Sequence, residues 1–160
     1  MSIQPGDKIP SVTIKEATAD GPKDVDTATL LAGKKVIIFS LPGAFTPTCS
    51  SKHLPGFVAK YDELVGKGVD VIACRSVNDA HVMRAWAEQH GALGKIVMLA
   101  DGNAAFTRAL GLELDLSAAQ MGLRGRRAAI EVVDGVVKRV DVEAPGKFEV
   151  SGADACLARL

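Results

Sequence analysis

The feature that most limits the fold is an alternation of strand-length apolar runs with stretches whose apolar residues fall at helical spacing. Lys35-Val36-Ile37-Ile38-Phe39-Ser40-Leu41 is a nearly continuous apolar run rich in β-branched residues, and reads as a strand buried on both faces. After a Pro/Gly turn, Leu54, Phe57, Val58, Tyr61, Leu64 and Val65 trace one face of a helix, with Pro55 marking its start or a kink. Val69-Asp70-Val71-Ile72-Ala73-Cys74 is the next strand, and Asn78-Asp79 caps a helix running through Val82, Met83, Trp86 and Ala87. Ile96-Val97-Met98-Leu99-Ala100 is a third buried strand, followed by a shorter helix from Asn103 to Leu110 that stops at Gly111. Residues 128–133 and 136–140 flank Asp134-Gly135, the signal of a hairpin with a primed turn. Ser151-Gly152-Ala153-Asp154 resembles a capping box that opens a last helix to Leu160. Residues 17–28 are polar, contain Asp, Gly and Pro, and read as an exposed turn and loop.

Alternation of this kind implies parallel strands joined by right-handed crossovers, and the hairpin adds antiparallel ones. The expected class is therefore α/β: a thioredoxin-like mixed β-sheet with helices on both faces. The 160 residues suffice for one domain with its own core, so a single domain over 1–160 is expected. The 19 basic and 19 acidic residues cancel, and no excess of cations points to nucleic acid or an anionic membrane. The first residues, Met1-Ser2-Ile3-Gln4-Pro5-Gly6-Asp7, have neither the basic nor the apolar region of a secretory signal. No apolar run approaches the roughly 20 residues that span a bilayer. Three cysteines, an odd number with no Cys-x-x-Cys pair, argue for a reducing compartment, here the cytoplasm.

One of these cysteines stands apart. Cys49 follows a buried strand and a two-proline turn and opens a helix. In an open α/β sheet, the crevice beyond the carboxyl ends of the strands is where ligands bind. A helix N-terminus carries partial positive charge and unpaired N–H groups, which favour thiolate over thiol. Thr46 stands three residues earlier, within reach of the sulfur or a bound oxygen, and Pro42 and Pro47 stiffen the loop.

The stretch Pro42-Gly43-Ala44-Phe45-Thr46-Pro47-Thr48-Cys49-Ser50, with His53-Leu54-Pro55-Gly56-Phe57, resembles the peroxiredoxin family, whose signature Pro-x-x-x-Thr-x-x-Cys is filled by Pro42, Thr46 and Cys49. Ser76-Val77-Asn78-Asp79, Ala85-Trp86 and Leu123-Arg124-Gly125-Arg126-Arg127 are similar to its type II branch. The resemblance implies a thiol peroxidase with Cys49 as the peroxide-reducing cysteine, Thr46 bonding the peroxide and Pro42 shielding it. It also implies an arginine from the strand before the hairpin: Arg127 matches best, with Arg126 its neighbour. Ala128 departs from the family, which usually has an aromatic residue there. The implied substrates are hydrogen peroxide and organic hydroperoxides. No cofactor is implied, only an external thiol, glutathione with glutaredoxin or thioredoxin, and a homodimer formed through loops near the site.

Two cysteines remain as partners for closing the cycle. Cys74 lies 74 − 49 = 25 residues after Cys49, the spacing of the second cysteine in plant and some bacterial type II enzymes, which makes it a candidate resolving residue. It sits in a buried strand, where a disulfide to a helix start needs local unfolding, so a small core residue is the leading reading. Cys156 falls within the last helix and reads as a packing residue. His53 reads as structural or loop-ordering rather than as a base, His81 and His90 as exposed. Phe45 and the Leu54–Phe57 stretch together suggest an exposed apolar patch. A different class of function on the same cysteine is a peroxide-sensing redox switch or chaperone-like binding protein.

Overall fold

A computed structural model describes residues 1–160. Its main sheet has seven strands in the order β2-β1-β5-β4-β3-β8-β9. These are β1 (Thr13–Thr18), β2 (Gly21–Asp26), β3 (Lys35–Ser40), β4 (Val71–Ser76), β5 (Val97–Ala100), β8 (Ala128–Val133) and β9 (Val136–Val142). A separate two-stranded ribbon pairs β6 (Glu113–Leu116) with β7 (Gly122–Gly125). β3, β4 and β5 run parallel, while β1 and β8 flank them antiparallel. The helices are α1 (Thr27–Leu31), α2 (Leu54–Ala59), α3 (Tyr61–Gly66), α4 (Ala80–Gln89), α5 (Ala105–Leu110) and α6 (Ala153–Arg159).

Period-two alternation divides the central strands between two apolar cores. Ile37, Phe39 and Leu41 join Ile72, Cys74, Leu54, Phe57, Met83 and Trp86 on one face. Val36, Ile38 and Ala73 join Leu31, Phe106 and Leu110 on the other. This confirms an α/β mixed sheet covered by helices on both faces. Phe39 and Phe57 stack at 4.1 Å with rings 6° from parallel, tying the sheet to the segment that carries Cys49. Asp79 caps α4 by accepting from the Val82 amide, and Asp134 and Gly135 both take positive φ in the turn between β8 and β9.

Several local expectations change. Residues 17–28 are not a loop: most of them form the β1–β2 hairpin and the start of α1, with Asp26 capping α1 through the Thr29 amide. The polar residues of this hairpin sit on exposed positions at the sheet edge. The capping box at 151–154 does not form: α6 starts after Gly152, so glycine and not Ser151 holds the cap position, and the Ser151 hydroxyl donates to Glu143. The Leu54–Phe57 stretch is not an exposed patch, since Leu54 and Phe57 are fully buried; Phe45, half exposed, stands alone. His81 is exposed as expected, but His90 is half-buried, edge-on to Trp86 at 5.8 Å. No helix is long and apolar enough to cross a membrane.

The antiparallel register explains how distant residues meet. Ser40, the last residue of β3, pairs with Arg75 of β4 and with Ala128, the first residue of β8. Arg127 therefore arrives beside the chain leaving β3, at the same edge as the loop that leads to Cys49.

Candidate active site

Pro47 and Thr48 already have helical backbone, and the Ser50 amide closes the first turn onto the Thr46 carbonyl at 2.9 Å. Pro47 thus occupies the position where a missing N–H is harmless, and the Thr48 and Cys49 amides have no intrahelical acceptor. The turn then widens: Cys49–His53 form a π turn, closed by the Leu54 amide on the Cys49 carbonyl. Pro55, next in line, has no N–H to give the Ser51 carbonyl, so the tighter α pattern could not continue there. Pro55 was expected to start or kink the helix, and the disturbance lies just before it. Widened turns of this kind recur at functional sites.

The Cys49 sulfur is fully buried. Arg127 Nη2 donates to it at 3.2 Å, and Arg127 Nη1 lies 3.0 Å from His53 Nδ1. His53 Nε2 is 2.9 Å from the Ser151 carbonyl, which can only accept. That contact assigns the proton to Nε2 and leaves Nδ1 to accept from Arg127. Burial pushes the His53 imidazole down to about 3, reinforced by the Arg127 charge against the opposing Ser151 bond, so the ring is neutral around pH 7. Both nitrogens are committed, which excludes His53 as a proton acceptor for Cys49. It holds the arginine.

The far end of this chain is Glu143. Its carboxylate accepts from the Glu149, Val150 and Ser151 amides and from the Ser151 hydroxyl, at 2.7–2.9 Å. Burial alone would raise this carboxyl; the Ser151 hydroxyl and the three amides outweigh it and hold it below the ordinary value. The Glu143 amide also donates to the Arg127 carbonyl at 2.9 Å. Glu143 therefore fixes both Arg127 and the loop that presents Ser151 to His53. Phe148 adds a ring 5.9 Å from the Arg127 guanidinium. Nothing local in the sequence marks Glu143, Phe148 or Ser151 for this task.

In the loop before Cys49, the Thr46 hydroxyl donates to the Gly43 carbonyl at 2.7 Å. Its hydrogen is thereby occupied, and the oxygen keeps lone pairs with which to accept. Asn78 Oδ1 accepts from the Ala44 amide at 2.9 Å, and Arg124 Nη1 donates to the Pro42 carbonyl at 3.3 Å. A Cβ on Gly43 would lie 2.7 Å from Arg124 Nη1, so the loop and the arginine pack this closely only because residue 43 lacks a side chain. A cavity of about 270 Å³ adjoins the site; Pro42, Thr48, Arg126 and Arg127 line it together with Leu114, Leu116, Lys147 and Phe148, and the buried Cys49 itself does not.

The structure thus brings Arg127 onto Cys49 and sets Pro42, Arg126 and Arg127 around one cavity, while the Thr46 hydroxyl is held by Gly43 in the loop before Cys49. Cys74 is buried in a central strand, paired with Phe39 on one side and Met98 on the other. Burial raises its thiol well above the usual range, with the nearby Cys49 acting in the same direction. Cys156 is buried in α6, and burial pushes it to about 12. All three cysteines are free, and no His/Cys/Asp/Glu cluster suited to a metal is present.

Arg75, the residue after Cys74, is fully buried on the opposite face. Its Nη1 donates to Thr107 Oγ1, whose hydroxyl bonds Asp101, while its Nε and Nη2 have no partner. Burial pulls it down to about 10 against the opposing pull of Asp101. The guanidinium lies against Gly125, where a Cβ would sit 2.6 Å from Nη1.

A buried sulfur with a fixed cationic donor, preceded by a threonine whose hydroxyl hydrogen is already given to the backbone, is equipped to attack a small electrophile that brings its own O–H. Comparison with known proteins agrees. The Redoxin family profile matches residues 4–157. The chain is 53% identical to chloroplastic peroxiredoxin-2E-2 of Oryza sativa, over 99% of this chain and 73% of that protein. It is 47% identical to peroxiredoxin-2B of Arabidopsis thaliana, over 99% and 98%. Reduced Prx3 of Vibrio vulnificus in complex with hydrogen peroxide superimposes with a TM-score of 0.94 at 50% identity, covering 98% of both chains.

Proposed function

The chain belongs to the peroxiredoxin family, in its type II branch, and is a thiol-dependent peroxidase; from that premise we propose that Cys49 is the sulfur that meets the peroxide, with Thr46, Arg127 and Pro42 arranged around it. The observation that carries this assignment is the 3.2 Å contact from Arg127 Nη2 to Cys49 Sγ.

The Cys49 thiolate attacks the oxygen of the peroxide that bears hydrogen. An S–O bond forms as the O–O bond breaks; sulfur is oxidised by two electrons to a sulfenic acid, and the departing oxygen leaves as hydroxide or alkoxide and takes a proton. Thr46 Oγ1 accepts from the peroxide O–H because its own hydrogen is held by Gly43. Of the five N–H donors of a guanidinium, Arg127 commits one from Nη1 and one from Nη2, and the rest are available to the oxygen on which charge develops. Arg127 cannot lose its proton near neutral pH, so it stays a donor throughout. Pro42 lines the cavity without adding an N–H that would compete.

The second half of the cycle uses a thiol from outside the chain, glutathione with glutaredoxin, or thioredoxin. The central-strand position of Cys74 and the helix position of Cys156 support an external resolver. Half-exposed Phe45, at positive φ in the loop beside the site, suits a homodimer contact there. Three unpaired thiols suit a reducing compartment such as the cytoplasm. The reading needs no prosthetic group.

The test is peroxide consumption with glutathione and glutaredoxin. The protein turns over many equivalents, and Cys49→Ser turns over none. A protein that stops after one equivalent is a redox switch instead, and activity surviving in Cys49→Ser removes the assignment. Intact mass after one equivalent of peroxide reads the resolver: a sulfenic acid or glutathione adduct supports an external thiol, loss of two hydrogens an internal disulfide.

A further inference from the structure

The cavity that Arg127 and Thr48 line beside Cys49 carries more positive charge than the reaction with hydrogen peroxide uses. Arg127 is engaged with Cys49 and His53. Arg126 and Lys147 also face the cavity, and neither side chain has a hydrogen-bond or ion-pair partner; the chain's ion pairs use Lys15, Lys60, Arg84, Arg139 and Arg159. The lining includes one acid, Glu143, whose carboxylate is saturated by three amides and a hydroxyl and so offers these cations no contact. Arg126 is also held in place. Its amide donates to the Leu112 carbonyl at 2.8 Å and its carbonyl accepts from the Ser40 hydroxyl at 2.9 Å, so the backbone on both sides of the side chain is pinned. Opposite, the β6–β7 ribbon stands apart from the main sheet and turns Leu114 and Leu116 towards the same space. Two uncommitted cations beside an apolar wall, in a volume near the lower end of small-ligand pockets, match a small ligand with an apolar body and a carboxylate.

We propose that this cavity is a carboxylate-recognition subsite anchored by Arg126 and assisted by Lys147, which orients acidic co-substrates so that their reactive peroxide or thiol group faces Cys49. The proposal rests on Cys49 being the reacting sulfur. The carboxylate has two possible sources, an acidic organic hydroperoxide in the oxidative half-reaction or glutathione in the reductive one. Arg126 is a specificity-determining residue in either case, and it acts on the ligand rather than on sulfur.

The test compares each acid with its own neutral ester. Quenched-flow measurement of free Cys49 thiol gives the rate of oxidation by linoleic acid hydroperoxide and by its methyl ester. Loss of sulfenic acid gives the rate with glutathione and with its diethyl ester. In the wild type, the acid is favoured over the ester in at least one arm. Arg126→Gln lowers that acid-to-ester ratio about tenfold, the equivalent of about 1.4 kcal/mol; Lys147→Gln lowers it less, and Arg126→Lys restores part of it. An effect confined to the hydroperoxide arm identifies the substrate as the source, and one confined to the thiol arm identifies the reductant. Acid-to-ester ratios near one, or ratios unchanged by Arg126→Gln in both arms, overturn the proposal. Oxidation by hydrogen peroxide separates the two failures: if it does not consume the Cys49 thiol in the wild type, the assignment of Cys49 falls, and if it does, only the subsite falls.

Discussion

The buried His53 makes stability depend on pH. In the folded protein its imidazole titrates at about 3, while in the unfolded chain it returns to about 6.5. Between those values the unfolded state binds a proton that the native state does not, so stability rises with pH and falls on acidification. Over the whole window the single residue accounts for about 5 kcal/mol (3.5 units at about 1.4 kcal/mol each). Between pH 7 and pH 5, where only part of it is traversed, the loss is about 2 kcal/mol. The structural cause is specific: protonating Nδ1 removes the acceptor of the 3.0 Å Arg127 contact and sets two cations side by side without solvent. The assay is urea unfolding at pH 7, 6 and 5 on the wild type and on His53→Gln, which retains a donor and an acceptor but does not titrate. The variant is less stable overall, yet its stability falls by about 2 kcal/mol less than that of the wild type between pH 7 and pH 5. Parallel pH profiles for the two proteins would refute the neutral, doubly bonded His53 on which the placement of Arg127 rests.

Three further outcomes follow from the same geometry. Arg127→Ala slows Cys49 oxidation by about 10²- to 10³-fold, as for the loss of one donor to a developing oxyanion, whereas Arg126→Ala leaves the reaction with hydrogen peroxide faster than Arg127→Ala does; stopped-flow rates that reverse this order exchange the two arginines. Changing Cys74 and Cys156 together to Ser preserves most glutathione-supported turnover, and a large loss brings back an internal disulfide. Gly125→Ala lowers stability by about 1–3 kcal/mol through overpacking against Arg75, and the double change Arg75→Ser with Gly125→Ala loses less than the sum of the two singles in thermal unfolding; strict additivity contradicts the contact.

Reading the chain without coordinates succeeds where the information is local. β3, β4 and β5 are buried on both faces, so their sequences are continuous apolar runs, and the turn at Asp134-Gly135 is written in residues that tolerate positive φ. The Pro42, Thr46 and Cys49 motif is likewise one short segment, and Arg127, which stands just before β8, is the arginine that lies against Cys49. The edge hairpin β1–β2 is missed because its exposed face is polar, as in Lys15, Glu16, Lys23 and Asp24, which reads as a loop. The ribbon β6–β7 is missed because its strands are short and lie off the main sheet. Least legible is the support of the site. Glu143, Ser151 and His53 lie up to 98 residues apart, and their connection depends on which buried polar atoms find one another after the sheet has formed. The capping box fails for a separate reason: α6 begins one residue later than it requires, with Gly152 rather than Ser151 at the cap position.

The close fit of Arg75 to Gly125 also bears on how this sequence can change over generations. A side chain at position 125 is costly while the guanidinium occupies the space a Cβ needs. Replacement of Arg75 by a smaller residue leaves that space open. The two positions are therefore linked by history as well as by contact, and the less costly route from Arg75 with Gly125 to a bulkier residue at 125 loses the arginine first. Descendants of this chain that carry a side chain at position 125 are expected to lack the buried arginine more often than those that keep the glycine.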